Sequence, residues 1–285
     1  MTIGESLLLA LGLYCAVVAI YLFLVFPGRA SQDQKASFVH RNFAHRGFYD
    51  NDNGVPENSL KAFEAAMQEG YGCELDVQFT RDKKLIVFHD NDFLRICGVD
   101  KKVWEMDWNE VCELRLAGTD ERVPTFREVL DTVAGRNPLI VEIKAEGLDM
   151  EWYTQVCEAT AAELKDYKGE YCIESFHPGP VRWVWKNLPD VTRGLLVNGP
   201  AEPGTKGSFV VNLISELLLN FTCRPQFIAY RYDRRNLALR IVKKLGAFSV
   251  MWTVPNEEEQ RKMEEAEDCI IFEHYHPHPD RTSVV

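Results

Sequence analysis

The chain has 285 residues, 46% of them hydrophobic and 26% charged. This excludes a wholly disordered protein and allows one large domain or two small ones, with no need of disulfides. Its 43 acidic against 32 basic residues give a net charge of -11, which repels phosphate backbones and excludes general nucleic-acid binding. A phosphate-bearing substrate stays open where local cations or a metal hold it.

The eight cysteines are Cys15, Cys73, Cys97, Cys112, Cys157, Cys172, Cys223 and Cys269, and none forms a C-x-x-C pair. Scattered through expected strands and helices, they read as reduced thiols and point to a reducing compartment.

Leu7–Phe26 is an apolar run with no charged residue. As a helix its roughly 20 residues cross a ~30 Å hydrocarbon core. A cleaved signal peptide is the competing reading, with Gly28-x-Ala30 as a weak cleavage site. Its basic n-region is missing, since Glu5 is the only charged side chain ahead of the run. Residues 1–28 are therefore expected as a transmembrane anchor and 29–41 as a short polar tether. Arg29, Lys35 and Arg41 follow the run, and no Lys or Arg precedes it. The positive-inside rule then predicts a single-pass protein with its body in the cytoplasm and its N-terminus outside.

Residues 42–285 match the ~250 residues of a (β/α)₈ barrel. Apolar, β-rich runs bounded by turn residues predict nine strands: 42–46, 73–80, 85–89, 139–144, 171–176, 192–197, 227–231, 248–254 and 269–272. Only Arg81-Asp82-Lys83-Lys84 separates the second from the third. A parallel crossover needs a dozen or more residues, so those two form an antiparallel hairpin and eight strands remain for the barrel. Helices are expected over 59–69, stopped by Gly70, and from the capping box Thr125-x-x-Glu128 to Gly135. Two more are expected over 233–245 and from Asn256-x-x-Glu259. Residues 90–120 fit no βα unit and read as an insertion with a short helix over 108–116. The fold class is α/β, a (β/α)₈ TIM barrel with a small insertion after the second strand, preceded by one transmembrane helix.

The chemistry-bearing residues fall at strand ends. His45 and Arg46 end the first strand, where barrel active sites open. Glu74 and Asp76 are two apart on one strand, so both project to one side, and Glu142 and Lys144 repeat that spacing. His89-Asp90 ends the hairpin partner. Three inward carboxylates are costly to bury without a cation, and hard oxygen ligands suit Mg²⁺ or Ca²⁺ over zinc. Taken singly, each has a structural explanation, such as a Glu142–Lys144 pair; their joint fall at strand ends points to a site.

The ordered motifs His45-Arg46-Gly47, Pro56-Glu57-Asn58-Ser59, Glu74-Leu75-Asp76-Val77-Gln78, Val87-Phe88-His89-Asp90, Pro124-Thr125-Phe126, Val141-Glu142-Ile143-Lys144, Ser175-Phe176 and Trp252-Thr253-Val254 resemble the glycerophosphodiester phosphodiesterase family over about residues 42–275. The resemblance implies that Glu74, Asp76 and Glu142 bind one divalent metal, Mg²⁺ or Ca²⁺. It implies that Arg46 and Lys144 hold the phosphate, and that His45 and His89 are the general acid/base pair. By analogy with barrel phospholipases, His45 is assigned as base and His89 as acid. Trp252 ends a strand and is expected to cover an apolar or cationic substrate group, or else to pack in the core.

Two departures from the family pattern stand out. Members usually finish the last strand with Thr-Asp, where this chain has Phe272-Glu273. They usually carry Asn directly after Thr-Val, where Pro255-Asn256 stands here. Both are expected at the mouth of the pocket. The run His274-x-His276-x-His278 is read as a solvated tail, with transition-metal binding as the lesser alternative.

The implied activity is metal-dependent hydrolysis of glycerophosphodiesters to glycerol 3-phosphate and an alcohol. Two alternatives stand beside it: lysophospholipase D-type cleavage of membrane lysophospholipids, and a catalytically silent barrel acting as ligand sensor or membrane scaffold. The expected partners are a small-molecule glycerophosphodiester or lysophospholipid and, through the N-terminal helix, a membrane.

Overall fold

The structure, a computed structural model, describes residues 2–145, 149–202, 205 and 207–277. It opens with α1 (Ile3–Val25), capped by Thr2, whose hydroxyl accepts from the Glu5 amide, and the short α2 (Gln32–Ala36). Next come β1 (Asn42–Ala44), α3 (Leu60–Glu69), β2 (Gly72–Phe79), β3 (Leu85–Val87), α4 (Leu94–Cys97), α5 (Trp108–Val111) and α6 (Phe126–Val133). The second half runs β4 (Leu139–Ile143), α7 (Met150–Leu164), β5 (Tyr171–Ser175), α8 (Pro178–Asn187), β6 (Thr192–Val197), α9 (Ser208–Ser215) and α10 (Asn220–Cys223). It closes with β7 (Phe227–Arg231), α11 (Leu237–Lys244), β8 (Phe248–Val254), α12 (Glu257–Glu264) and β9 (Cys269–Phe272).

Eight parallel strands close into a barrel, because β1 bonds β9 on one edge and β2 on the other. β3 is antiparallel to β2, with Val77 opposite Val87 and Phe79 opposite Leu85. The four residues between them allow only that reversal.

Alternation along the strands sorts two layers. Phe43, Ile140, Cys172, Phe227, Phe248, Val250 and Ile271 fill the interior of the barrel. Leu75, Val77, Val141, Ile173 and Ile228 face outward against Phe63, Leu130, Val156 and Val242 of the helices. The insertion has its own core around Phe88, Phe93, Val103 and Leu116. All eight cysteines are free thiols, five of them buried.

Several boundaries differ from expectation. β1 stops at Ala44, not Arg46, because Arg46 and Gly47 turn left-handed at φ 54° and 79°. α11 starts at Leu237, where Asn236 caps it, and Tyr232–Arg234 form a separate 3₁₀ turn in place of the first turn expected from Asp233. α5 ends at Val111, short of the expected Leu116.

The segment expected as a tether is packed against the barrel. Phe38 is 2% exposed and stacks on Phe43 at 6.2 Å. The Gly28 amide donates to the Pro225 carbonyl (2.8 Å), Lys35 Nζ to the Gly246 carbonyl (3.2 Å), and Gln226 Nε2 to the Arg29 carbonyl (3.1 Å). These partners all precede strands, so residues 28–38 cover the N-terminal end of the barrel. The polar composition suggested a loose linker, but one aromatic plug and a few backbone bonds fix it. Phe38→Ala is expected to cost about 3–5 kcal/mol, as for other buried Phe truncations, and urea unfolding measures it.

Candidate active site

The loop after β1 builds the first part of the site. Gly47 has φ 79°, and a Cβ there would meet the Ala62 backbone at 2.8 Å, so only glycine fits the turn. The turn brings the Arg46 amide to Glu74 Oε2 (3.1 Å) and the Arg46 guanidinium to Glu57 Oε1 (2.6 Å). Asn58, also left-handed, donates its amide N–H to the Arg46 carbonyl (2.9 Å) and its side-chain Nδ2–H to Asp76 Oδ2 (2.9 Å).

Inward-facing positions of β2, β4 and β5 supply carboxylates. Carboxylate oxygens of Glu74, Asp76 and Glu142 lie within 4.8 Å of one another, and all three residues are buried. Lys144 Nζ sits 2.8 Å from Glu142 Oε1 and 3.4 Å from Asp76 Oδ1. Glu174 pairs in register with Glu142, is 1% exposed, and neither of its carboxylate oxygens has a hydrogen-bond partner among the described residues. Sequence reading missed Glu174. The signal was present, because it lies two residues from Cys172 on a strand with an inward stride of two.

The charge balance is lopsided. Burial raises the Glu74 pKa well above the usual range, and Asp76, Glu142 and Glu174 reinforce it. Burial and the neighbouring carboxylates raise Glu174 likewise. For Asp76, burial works upward, but Lys144, His89 and Arg46 together hold the carboxyl far below its ordinary value. Four buried carboxylates against Arg46 and Lys144 leave unbalanced negative charge. Oxygens at these separations fit one hard cation bound at about 2.0–2.6 Å, so the donor set suits a divalent metal.

Both candidate histidines stand just past their strands and lean on carboxylates. His45 Nδ1 lies 2.7 Å from Glu273 Oε2, and its Nε2 lies 4.0 Å from Glu74 Oε2. The Tyr49 hydroxyl donates to the same Glu273 oxygen (3.0 Å). Burial lowers the His45 pKa, although the Glu273 hydrogen bond pulls it up. Burial opposes ionisation of Glu273, but His45 and Tyr49 bring its pKa down to about 2. His89 Nδ1 lies 2.7 Å from Asp90 Oδ1. Arg95 joins Asp90 Oδ2 (2.7 Å) and both Glu57 oxygens (2.7 Å each), which ties the two histidine loops together through Arg46.

The two residues of the first departure, Phe272 and Glu273, separate in space. Glu273 points inward to His45, whereas Phe272 is 1% exposed and faces outward, edge-on to Tyr71 at 4.8 Å. The expectation that Phe272 alters the pocket mouth is therefore corrected, for the reason of strand alternation. Trp252 is half-buried and inward-facing, its indole N–H donating to the Ala229 carbonyl (2.9 Å) and its ring edge-on to Phe176 (5.5 Å). His274 stands near Tyr49, His276 packs on Phe48 at 4.6 Å, and His278 lies outside the described residues. A surface cleft of about 1000 Å³ between α11 and α12 contains none of the candidate residues.

Residues 45–275 match the glycerophosphoryl diester phosphodiesterase family. The chain belongs to this family. By class it is a phosphoric diester hydrolase. A glycerophosphodiester phosphodiesterase of Caldanaerobacter subterraneus subsp. tengcongensis is 31% identical over 242 residues, 77% of this chain and 88% of that protein. A lysophospholipase D of Rattus norvegicus is 29% identical over 183 residues, 60% of this chain and 54% of that protein. A phosphodiesterase of Oleispira antarctica, solved with the product sn-glycerol-3-phosphate, shares the fold with a TM-score of 0.68 at 19% identity, covering 84% of this chain and 94% of that one.

The Glu57 pairing gives a stability test. Burial would raise the Glu57 pKa, but Arg95 and Arg46 hold it below its ordinary value. A depressed folded pKa adds stability that is present above the unfolded value of ~4.3 and is lost as pH falls through the folded value. Glu57→Gln is expected to cost about 3 kcal/mol at neutral pH, the low end for removing one charge of a buried ion pair, because Arg46 loses its anionic partner while Arg95 keeps Asp90. The penalty should shrink in acid, and urea melts at neutral and acidic pH read both.

Proposed function

We propose that this phosphodiesterase hydrolyses glycerophosphodiesters to glycerol 3-phosphate and an alcohol with the help of one divalent metal, Mg²⁺ or Ca²⁺. The observation that carries the reading is the buried trio Glu74, Asp76 and Glu142, with oxygens within 4.8 Å, flanked by two carboxylate-oriented histidines. These three residues would hold the ion, which when bound supplies Lewis-acid stabilisation of charge on the phosphoryl oxygens. Arg46 and Lys144 bind the phosphate and lower the repulsion that a phosphodiester anion presents to a nucleophile. Trp252 at the inner rim covers the alcohol or glycerol portion.

His45 is the base. A carboxylate at Nδ1 keeps the proton there and leaves the Nε2 lone pair free to take a proton from the attacking oxygen. Burial lowers its pKa and so favours the neutral ring. His89, held by Asp90, delivers a proton to the leaving alkoxide. Glu273 is a positioning residue that acts through His45.

A second reading, lysophospholipase D-type cleavage, is favoured by α1. This helix is apolar, almost wholly exposed and long enough to cross a membrane. We read residues 1–28 as the anchor, with the barrel on the cytoplasmic side because Arg29, Lys35 and Arg41 follow the apolar run.

Four variants test the proposal in purified protein. Glu74→Ala or His45→Ala should abolish glycerol 3-phosphate release while the melting curve stays cooperative, and a chelator should silence the parent reversibly. Unchanged turnover in either variant would sink the mechanism. Glu273→Gln should lower kcat by about 10²-fold with little change in KM, since the neutral amide no longer fixes the tautomer. Glu273→Asp should recover part of that loss.

A further inference from the structure

Outside α1, the exposed large apolar side chains cluster at one end of the barrel. They include Met150, Phe209, Val210, Val211 and Leu237, with Phe209 73% and Met150 72% exposed. Met150 opens α7 after β4, Phe209–Val211 lie in the first turns of α9 after β6, and Leu237 opens α11 after β7. Each therefore follows the C-terminal end of a barrel strand, where the mouth lies. Leu94, 52% exposed, sits beside Arg95, whose guanidinium reaches Glu57 and Asp90 at the same mouth. Trp104 in the insertion and Trp185 late in α8 are the exceptions among the described residues.

α1 climbs the flank toward that end. Gly28 bonds to Pro225, just before β7 begins at the opposite end of the barrel. The Val25 carbonyl accepts from Asn220 Nδ2 (3.0 Å), and the Phe23 ring lies 5.7 Å from Phe221. Tyr21 packs against the same apolar core as Ile214 and Leu217. The adjacent Ser215 carbonyl accepts from Asn236 Nδ2 (2.9 Å), the cap of α11 at the mouth. Read backwards from Gly28, the helix reaches mouth level at about Tyr21. Beyond it the roughly 18 residues from Ile3 to Ile20 span about 27 Å, close to a ~30 Å hydrocarbon core. Ile3 is 83% and Ile20 60% exposed, and among the described residues of this stretch only Val18 is even half-buried.

We infer that the mouth of the barrel faces the bilayer that α1 crosses, with Phe209, Val210 and Val211 seated in the interfacial layer of the lipid. The helix length places the mouth at the membrane surface, and the apolar rim supplies the contact there. A net charge of -11 makes an apolar contact, not an attraction to anionic headgroups, the binding force. A single-chain lipid then enters from the membrane side, keeping its acyl tail in the bilayer while its phosphodiester reaches Arg46, Lys144 and the carboxylates. This deepens the lysophospholipid reading. It rests on α1 spanning a membrane and, for the substrate class, on the phosphodiesterase reading.

The test uses the full chain in phosphatidylcholine vesicles. Phe209→Trp should gain a fluorescence component that brominated acyl chains quench, relative to the parent with its native tryptophans. Phe209→Asp combined with Val210→Asp should cut kcat/KM on lysophosphatidylcholine in the bilayer by about tenfold or more, through lost apolar contact, and leave soluble glycerophosphocholine turnover unchanged. Protein that stays with the vesicles but shows no added quenching, or loses both activities in step, overturns the docking. So does a rim whose only role is between copies, seen as cross-linking that the double Asp variant abolishes without a change in quenching. Protein that washes off the vesicles overturns the anchor and this inference with it. The quenching readout needs no turnover, so a parent inactive on every diester sinks the phosphodiesterase reading and leaves the docking result legible.

Discussion

Four carboxylates clustered inside one barrel, Asp76, Glu142 and Glu174 in register and Glu74 one inward position before Asp76, set the terms for the rest of this molecule. Glu74, Asp76, Glu142 and Glu174 all face inward because strand alternation gives them no other direction. Such a group repels itself in a medium that screens charge poorly, and Arg46 and Lys144 answer only part of it. The surrounding structure supplies these cations by strained or buried means: a left-handed Arg46, a glycine packed on α3, and a lysine buried between two carboxylates. A site with residual negative charge and hard oxygen donors is suited to a divalent cation and, with that cation in place, to a phosphodiester anion.

A second tier of ion pairs holds the first in position. Glu57 accepts from Arg46 and Arg95, Arg95 reaches Asp90, and Asp90 holds His89. On the other side Tyr49 and Glu273 hold His45. The loops that carry the two histidines are thus joined by charge, although they belong to different strands and to the insertion. The role of the insertion is plain in this light: Arg95 sits on it, and its separate hydrophobic core keeps α4 fixed beside the mouth.

The N-terminal segment connects the site to its surroundings. Phe38 closes the end of the barrel away from the chemistry, and Gly28 pins the foot of α1 to the same end. From there α1 passes α10 with Val25 buried, and its apolar side chains from Phe23 back to Ile3 are mostly exposed. One helix thereby runs from the floor of the barrel along α10.

The order of elements was legible in the sequence because hydrophobic period and turn residues are local. The eight barrel strands, the antiparallel hairpin forced by a four-residue connection, and the caps at Thr125 and Asn256 all follow from neighbours in the chain. The buried carboxylate trio and both histidines were also visible as candidates, since strand-end motifs and a spacing of two carry them. Tertiary structure decided what depends on distant partners. Glu174 joins the carboxylates only through the register of β5 on β4. Glu273 meets His45 only because β9 closes the barrel beside β1, and Phe272 turns away for the same geometric reason. Residues 29–41 read as a polar tether because their bonds run to Asp190, Gln226 and Gly246, far away in sequence. Local pattern fixes which way a side chain faces; only closure of the sheet fixes what it faces.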